Sequence, residues 1–205
     1  MINTNKKAQL IVGGSLTKTT KMPCASYSLP AAECKQGSKL RKLAGSVCSD
    51  CYACKGNYKR YEKSISKAQY RRLKSITHPY WPLAMQKLIG DAPLFRWHDS
   101  GDLQDMDHLE QIITVAKLTP NTQHWLPTKE SALIKKLALD DIPANLTIRL
   151  SATMVDGKAP RYDQTSTVVT DPALATCRSF ENKGQCGDCR KCWDRTVKNV
   201  AYLKH

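Results

Sequence analysis

The stretch Leu94-Phe95-Arg96-Trp97-His98-Asp99-Ser100-Gly101-Asp102 decides the fold. Leu94 to His98 reads as a short strand, and a polar run from His98 to Asp102 follows it. Working outward, residues 105–118 read as a helix, with Leu109, Ile112, Ile113 and Ala116 at helical spacing. Gln123 to Leu126 is the next strand, residues 129–139 the next helix, Leu146 to Leu150 a third strand and Ser166 to Val169 a fourth. Upstream, residues 58–76 and 81–90 read as two more helices. Strands separated by helices pair in parallel through right-handed crossovers. The expected fold is therefore α/β. The 205 residues are short for a closed eight-stranded barrel. A partial or open βα-barrel-like parallel sheet is expected instead.

Polar groups recur just after these strands: His98 to Asp102, then Pro127-Thr128-Lys129, then Ser151-Ala152-Thr153. Carboxyl ends of parallel strands are where such folds place their sites. Arg96 and Arg149 could hold an anion, His98 could act as acid or base, and Asp99 or Asp102 could orient it. These five are the candidate catalytic residues, with Thr128 and Ser151 near them at the same edge. The competing reading gives Asp99 and Gly101 to a turn and pairs Arg96 with a buried acid. His124 reads as structural and His78 as a loop residue.

Nine cysteines bracket this middle. Residues 1–57 are loop-rich and carry Cys24, Cys34, Cys48, Cys51 and Cys54; residues 58–170 carry none; residues 171–205 carry Cys177, Cys186, Cys189 and Cys192. All three zones are expected to form one domain spanning residues 1–205. The count is odd, so complete pairing into disulfides is impossible, and 41% hydrophobic residues can build a core without them. Cys186-x2-Cys189-x2-Cys192, with Cys177 upstream, has the spacing that wraps one side of an iron–sulfur cubane. Zinc, which usually takes two separated Cys-x2-Cys pairs, is the alternative. Cys48-x2-Cys51-x2-Cys54 repeats the spacing. There Cys34, Cys48 and Cys51 rank as ligands above Cys54 and Cys24. One or two clusters of the [4Fe-4S] type are expected. Ligands from both chain ends could also share one site.

Charge is uneven. Residues 1–75 hold 16 Lys/Arg and 3 Asp/Glu, residues 76–205 hold 16 and 15, and the net is +14. A basic first third suits a polyanion such as nucleic acid. Lys59, Arg60, Lys63, Arg71 and Arg72, interleaved with tyrosines, are the candidate contacts. The opposing reading is a solvated face. The first seven residues lack a signal-peptide core, and no apolar run nears the roughly 20 residues that span a bilayer. A cytoplasmic protein with no membrane partner is expected.

Five stretches together resemble the phage-encoded "gene product 88" family: residues 26–31, residues 45–53, Phe95 to Asp102, Trp125-Leu126-Pro127-Thr128 and the Cys-rich end. The resemblance runs from about residue 20 to the end of the chain. It implies a phage or prophage gene expressed in the cytoplasm of a host bacterium, and a non-cysteine at the position of Cys54. The function expected from all this is a cluster-binding phage protein, a redox or radical-type enzyme if catalytic. A nucleic-acid-binding or host-protein-binding protein with a structural metal is the alternative.

Overall fold

The computed structural model describes residues 2–204; residues 1 and 205, the ends of the expected domain, lie outside the described residues. Among these, seven strands form one sheet: β1 Thr17–Lys18, β2 Ala25–Tyr27, β3 Leu94–Trp97, β4 Gln123–Thr128, β5 Leu146–Val155, β6 Thr165–Val169 and β7 Asn199–Leu203. Their spatial order follows the chain. β1 lies antiparallel to β2, and every later neighbour is parallel. The helices are α1 Asn5–Val12, α2 Lys35–Leu40, α3 Gly56–Arg60, α4 Glu62–Ser75, α5 Trp81–Ile89, α6 Met106–Leu118 and α7 Ser131–Ile134. The protein is thus a mixed α/β fold with an open, mostly parallel sheet, as the alternating elements predict.

Strand alternation separates the two faces. Phe95, Trp97, Leu126, Leu146 and Ile148 point to one face and pack with Trp81 and Met85 of α5, Leu109, Ile112 and Val115 of α6, and Ala8 and Val12 of α1. Leu94, Trp125, Val200 and Tyr202 point to the other. Among the described residues, no helix residue belongs to the apolar cluster on that second face. Met22, Cys24, Cys177, Cys192, Trp193 and Val197 pack on it. The cysteine-rich end is therefore the lid of half the sheet.

Several elements differ from expectation. The helix expected over residues 58–76 is two helices, broken at Tyr61 (φ −109°, ψ 28°). The helix expected over residues 129–139 shrinks to one turn, α7. It follows Thr128 and Glu130, whose side chains are spent on other bonds. β5 runs to Val155 because the Cys-rich loop pairs with its end: Val47 N donates to Thr153 O (2.9 Å) and Val155 N to Gly45 O (3.0 Å). α1, α2, β1, β2 and β7 lie outside the elements read from the sequence. β1 and β2 are too short to show a period of two. Thr4 caps α1, accepting from Lys7 N (3.2 Å), and Gly13 ends it at φ +81°.

Candidate metal centre

All nine cysteines are free thiols. The fold sorts them into two groups. Cys34, Cys48, Cys51 and Cys54 form one group: Cys48 and Cys51 disfavour ionisation of Cys34, and Cys54 disfavours that of Cys48 and Cys51. Cys24 interacts with Cys186, Cys186 with Cys177 and Cys189, and Cys192 with Cys177. The C-terminal quartet thus gains Cys24 from the other end of the chain. Cys186 N donates to Lys21 O (3.1 Å), so the two segments are in direct contact. The sequence ranked Cys24 and Cys54 last, yet each lies within a group. Their signal is tertiary: Cys24 enters because β2 starts beside the returning C-terminal loop. Among the described residues, no set of three or more His, Cys, Asp or Glu side chains is gathered around the position of a single metal ion.

Burial pushes up the thiols of Cys34, Cys48, Cys51 and Cys186, and takes Cys24 to about 12 and Cys192 to about 11. Arg96 pulls both back down. Its guanidinium lies 4.6 Å from the Trp125 ring centroid, and its Nη atoms donate to Tyr52 Oη (3.3 Å) and Met22 Sδ (2.9 Å). Its Nε is buried without a partner, and no ion pair joins it to a carboxylate among the described residues. Asp99 is within electrostatic reach. Its two oxygens are taken by Ser26 Oγ (2.5 Å) and Tyr58 Oη (2.8 Å), while Tyr52 Oη donates to its backbone carbonyl.

Arg149 has a different task. It is fully buried on β5, and its five N–H groups meet five backbone carbonyls: Cys192 (2.9 Å), Lys191 (2.6 Å), Asp194 (2.7 Å), Val197 (2.9 Å) and Thr165 (3.3 Å). Thr147 Oγ1 adds a bond to Trp193 O (2.6 Å), and Trp193 Nε1 donates to Phe95 O (2.9 Å). Offered by the sequence as an anion holder, Arg149 is a clamp for the cysteine loop, with no donor left for a ligand. The single sequence signal was its place at alternate spacing in a strand.

The remaining strand-end residues spread out. Asp102 is buried and accepts from Thr128 Oγ1 (2.6 Å), Leu103 N (2.8 Å) and Lys129 N (2.9 Å). Burial raises its carboxyl against those bonds, and its charge acts on Cys34 and Cys48. Asp102 therefore stands beside the N-terminal group and Arg96 beside the C-terminal one. His98, at φ +52°, turns away from both. Its ring sits 5.3 Å from that of His108, neither ring nitrogen has a hydrogen-bond partner, and burial holds it neutral, well below the usual histidine value. It does not contact Asp99 or Asp102 as the sequence reading had it. Ser151 accepts from Ser166 Oγ (3.0 Å). His124 is structural, as expected, stacked on Trp97 and bonded to Thr119 Oγ1 (2.8 Å). Of the basic candidates, Lys59, Arg60, Lys63 and Arg71 are exposed. Arg72 is buried and donates to Ser28 Oγ (2.7 Å) and Ser15 O (2.8 Å), which removes it from the contact list. Tyr52, Tyr58 and Ser26 are site residues that the sequence reading did not assign. Tyr52 and Tyr58 had a visible signal, their positions within and shortly after the Cys48–Cys54 run.

These features define a mixed α/β protein with free thiols gathered at two places on an open sheet. The chain belongs to the gene product 88 family, whose model matches residues 1–195 and so takes in all nine cysteines. The match begins earlier than the resemblance, which started near residue 20. No curated protein and no solved structure matches the chain. Among the described residues, no helix is long and apolar enough to cross a membrane.

Proposed function

We propose that the protein is an iron–sulfur protein of redox function whose principal centre is held by Cys177, Cys186, Cys189 and Cys192, with Cys24 as a fifth thiol beside it. The observation that carries this reading is Arg96. A half-buried guanidinium whose Nε has no hydrogen-bond partner and which forms no ion pair among the described residues favours further negative charge beside it, and it acts electrostatically on Cys24, Cys186 and Cys192. Thiolates bound to iron supply that charge. The donor set fits as well: Cys-x2-Cys-x2-Cys with one remote cysteine is a ferredoxin-like spacing. Each cysteine of a cluster binds a different iron atom, so the ligands need not converge on one point.

Cys34, Cys48, Cys51 and Cys54 make a second candidate centre of the same chemistry. When bound, such clusters supply one-electron transfer. The chain's own residues do the rest. Arg96 and the half-buried Arg190 place positive charge near the sulfurs, which raises a cluster's potential. Arg149 fixes the loop that carries three ligands. Asp99 and Asp102, held by Ser26, Tyr58 and Thr128, line the edge between the two groups. The sequential strand order suits a partial βα-barrel, whose strand-end edge is the usual place for chemistry. A host cytoplasm, which keeps thiols reduced, fits nine free cysteines.

Anaerobic purification with iron, sulfide and zinc analysis and an absorption spectrum tests the reading. One cubane gives about four irons per chain and two give about eight. A colourless protein with stoichiometric zinc overturns it. Because buried thiols must lose protons to bind metal, reconstitution should fall off below neutral pH.

A further inference from the structure

We infer that the solvent face of α3 and α4 is a binding surface for single-stranded nucleic acid. The inference does not depend on what the cysteines hold. It starts from segregation. Residues 31–75 contain twelve Lys/Arg and only three Asp/Glu, and each of those acids is engaged. Glu33 accepts from Tyr70 Oη (2.8 Å), Asp50 pairs with Lys55, and Glu62 pairs with Lys59 (3.3 Å).

Lys63, Lys67, Arg71 and Lys74 recur at steps of four, four and three, so they form one stripe along α4, and all are exposed. Gln69 and Arg72 lie on the opposite, buried side. The fold has thus turned one arginine of the run inward and left the others facing solvent. Lys59 and Arg60, in the last turn of α3 just before the break at Tyr61, are exposed as well. Arg60, Lys63, Lys67 and Lys74 take part in no ion pair among the described residues. Residues 76–205 are nearly balanced in charge, so the positive field is one-sided.

From Lys63 to Lys74 the helix rises about 16 Å, enough to meet several phosphates of one strand. The choice of a single strand rests on Tyr61. Its ring is 52% exposed and lies at the helix break, with the Arg60 guanidinium 5.7 Å from its centroid. An exposed ring backed by a cation is a stacking platform for an unpaired base, whereas a duplex keeps its base faces covered.

Fluorescence anisotropy with a labelled 20-nucleotide oligo(dT) and the full chain tests this. Binding at 50 mM salt is expected, weakening about 50-fold at 200 mM if four phosphates are neutralised. The triple variant Lys63→Glu, Lys67→Glu, Lys74→Glu should bind at least about 20-fold more weakly, the loss expected for three contacts. The same charge change at exposed Lys135, Lys136 and Lys158 should cost less than about threefold. Tyr61→Ala should weaken oligo(dT) about tenfold and leave duplex binding unchanged. Circular dichroism confirms that each variant is folded. Absence of binding at 50 mM salt overturns the inference, as does an equal loss in the control triple variant. Tighter binding to a duplex of the same length overturns the single-strand assignment.

Discussion

Two regions of this molecule carry the same Cys-x2-Cys-x2-Cys spacing and are built in different ways. The C-terminal loop lies across a sheet face, packed by Trp193 and Trp125 (rings 5.3 Å apart) and clamped from below by Arg149. The N-terminal loop lies at the strand ends, tied to β5 by backbone bonds from Gly45 and Val47 and kept close to Cys34 by Gly37. One is held by a buried cation and aromatic packing, the other by backbone pairing and tight glycine contacts. Spacing alone specifies which sulfurs can share a metal centre. It does not specify how rigidly, or in what dielectric, they are held.

The largest expected effect breaks the C-terminal housing. Arg149→Met removes five hydrogen bonds and strands buried carbonyls. It should cost about 4 kcal/mol or more, seen as a lowered urea midpoint. Thiol labelling should rise at Cys186, Cys189 and Cys192 before it rises at Cys34, Cys48 and Cys51. Simultaneous labelling would show that the two regions are one unit.

Acid should strike the helix-covered face, leaving the clamp to fail only with the whole fold. Burial holds His124 down at about 4, against an ordinary value of 6.5. A neutral buried histidine favours the folded state fully above pH 6.5. That contribution is lost as pH falls from there through about 4. The loss is about 3 kcal/mol, and His108, also held near 4, adds in the same direction. Urea midpoints between pH 7 and 4 should show a steeper fall in wild type than in His124→Leu. Parallel slopes would remove this histidine from the account.

A smaller effect tests the contact between the ends of β2 and β3. Gly101 sits at φ +85°, and a Cβ there would lie 2.5 Å from Leu29 Cβ and 2.8 Å from Leu29 O. Gly101→Ala should cost about 2 kcal/mol, read from the thermal midpoint. A neutral result would mean that the β2 and β3 ends can separate freely.

The smallest effect on stability sharpens the comparison most. A Cβ at Gly37 would meet Cys34 Cβ at 2.8 Å and the Cys48 Sγ at 3.7 Å. Gly37→Ala should lower stability by only about 1 kcal/mol. It should nevertheless reduce iron at the N-terminal group and leave that of the C-terminal quartet intact. Equal loss at both would argue for one shared centre.

The middle of the chain was legible because its signals are local. Leu109, Ile112, Ile113 and Ala116 repeat at helical spacing, and α6 runs Met106–Leu118 behind its Asp105 cap. Phe95 and Trp97 alternate with Leu94 and Arg96, and β3 follows. β2 was not legible because it is only three residues long, and β7, as long as β6, because it lies in the segment read for its cysteines; sheet neighbours stabilise both. At the site, Asp99 and Asp102 were found and their partners were not. Ser26 lies 73 residues from Asp99, and Thr128 lies 26 from Asp102. His98 shows the opposite failure: its chemistry was plain, but a positive φ turns its ring into the core.

By itself the sequence determined the α/β class, the family, the clustering of thiols and the one-sided charge. Each of these is carried by composition or by spacing within one segment. Only the tertiary structure decided that Cys24 joins the C-terminal thiols, that Arg149 holds a loop and Arg96 faces sulfur, and that Arg72 is buried while Lys63 and Lys67 are not. Two arginines on strands β3 and β5, one strand apart in the sheet, look alike as letters. Which one meets five carbonyls and which one meets thiols depends on what the returning chain lays across the sheet. That is set by the packing of residues about a hundred positions apart, such as Trp193 on Phe95.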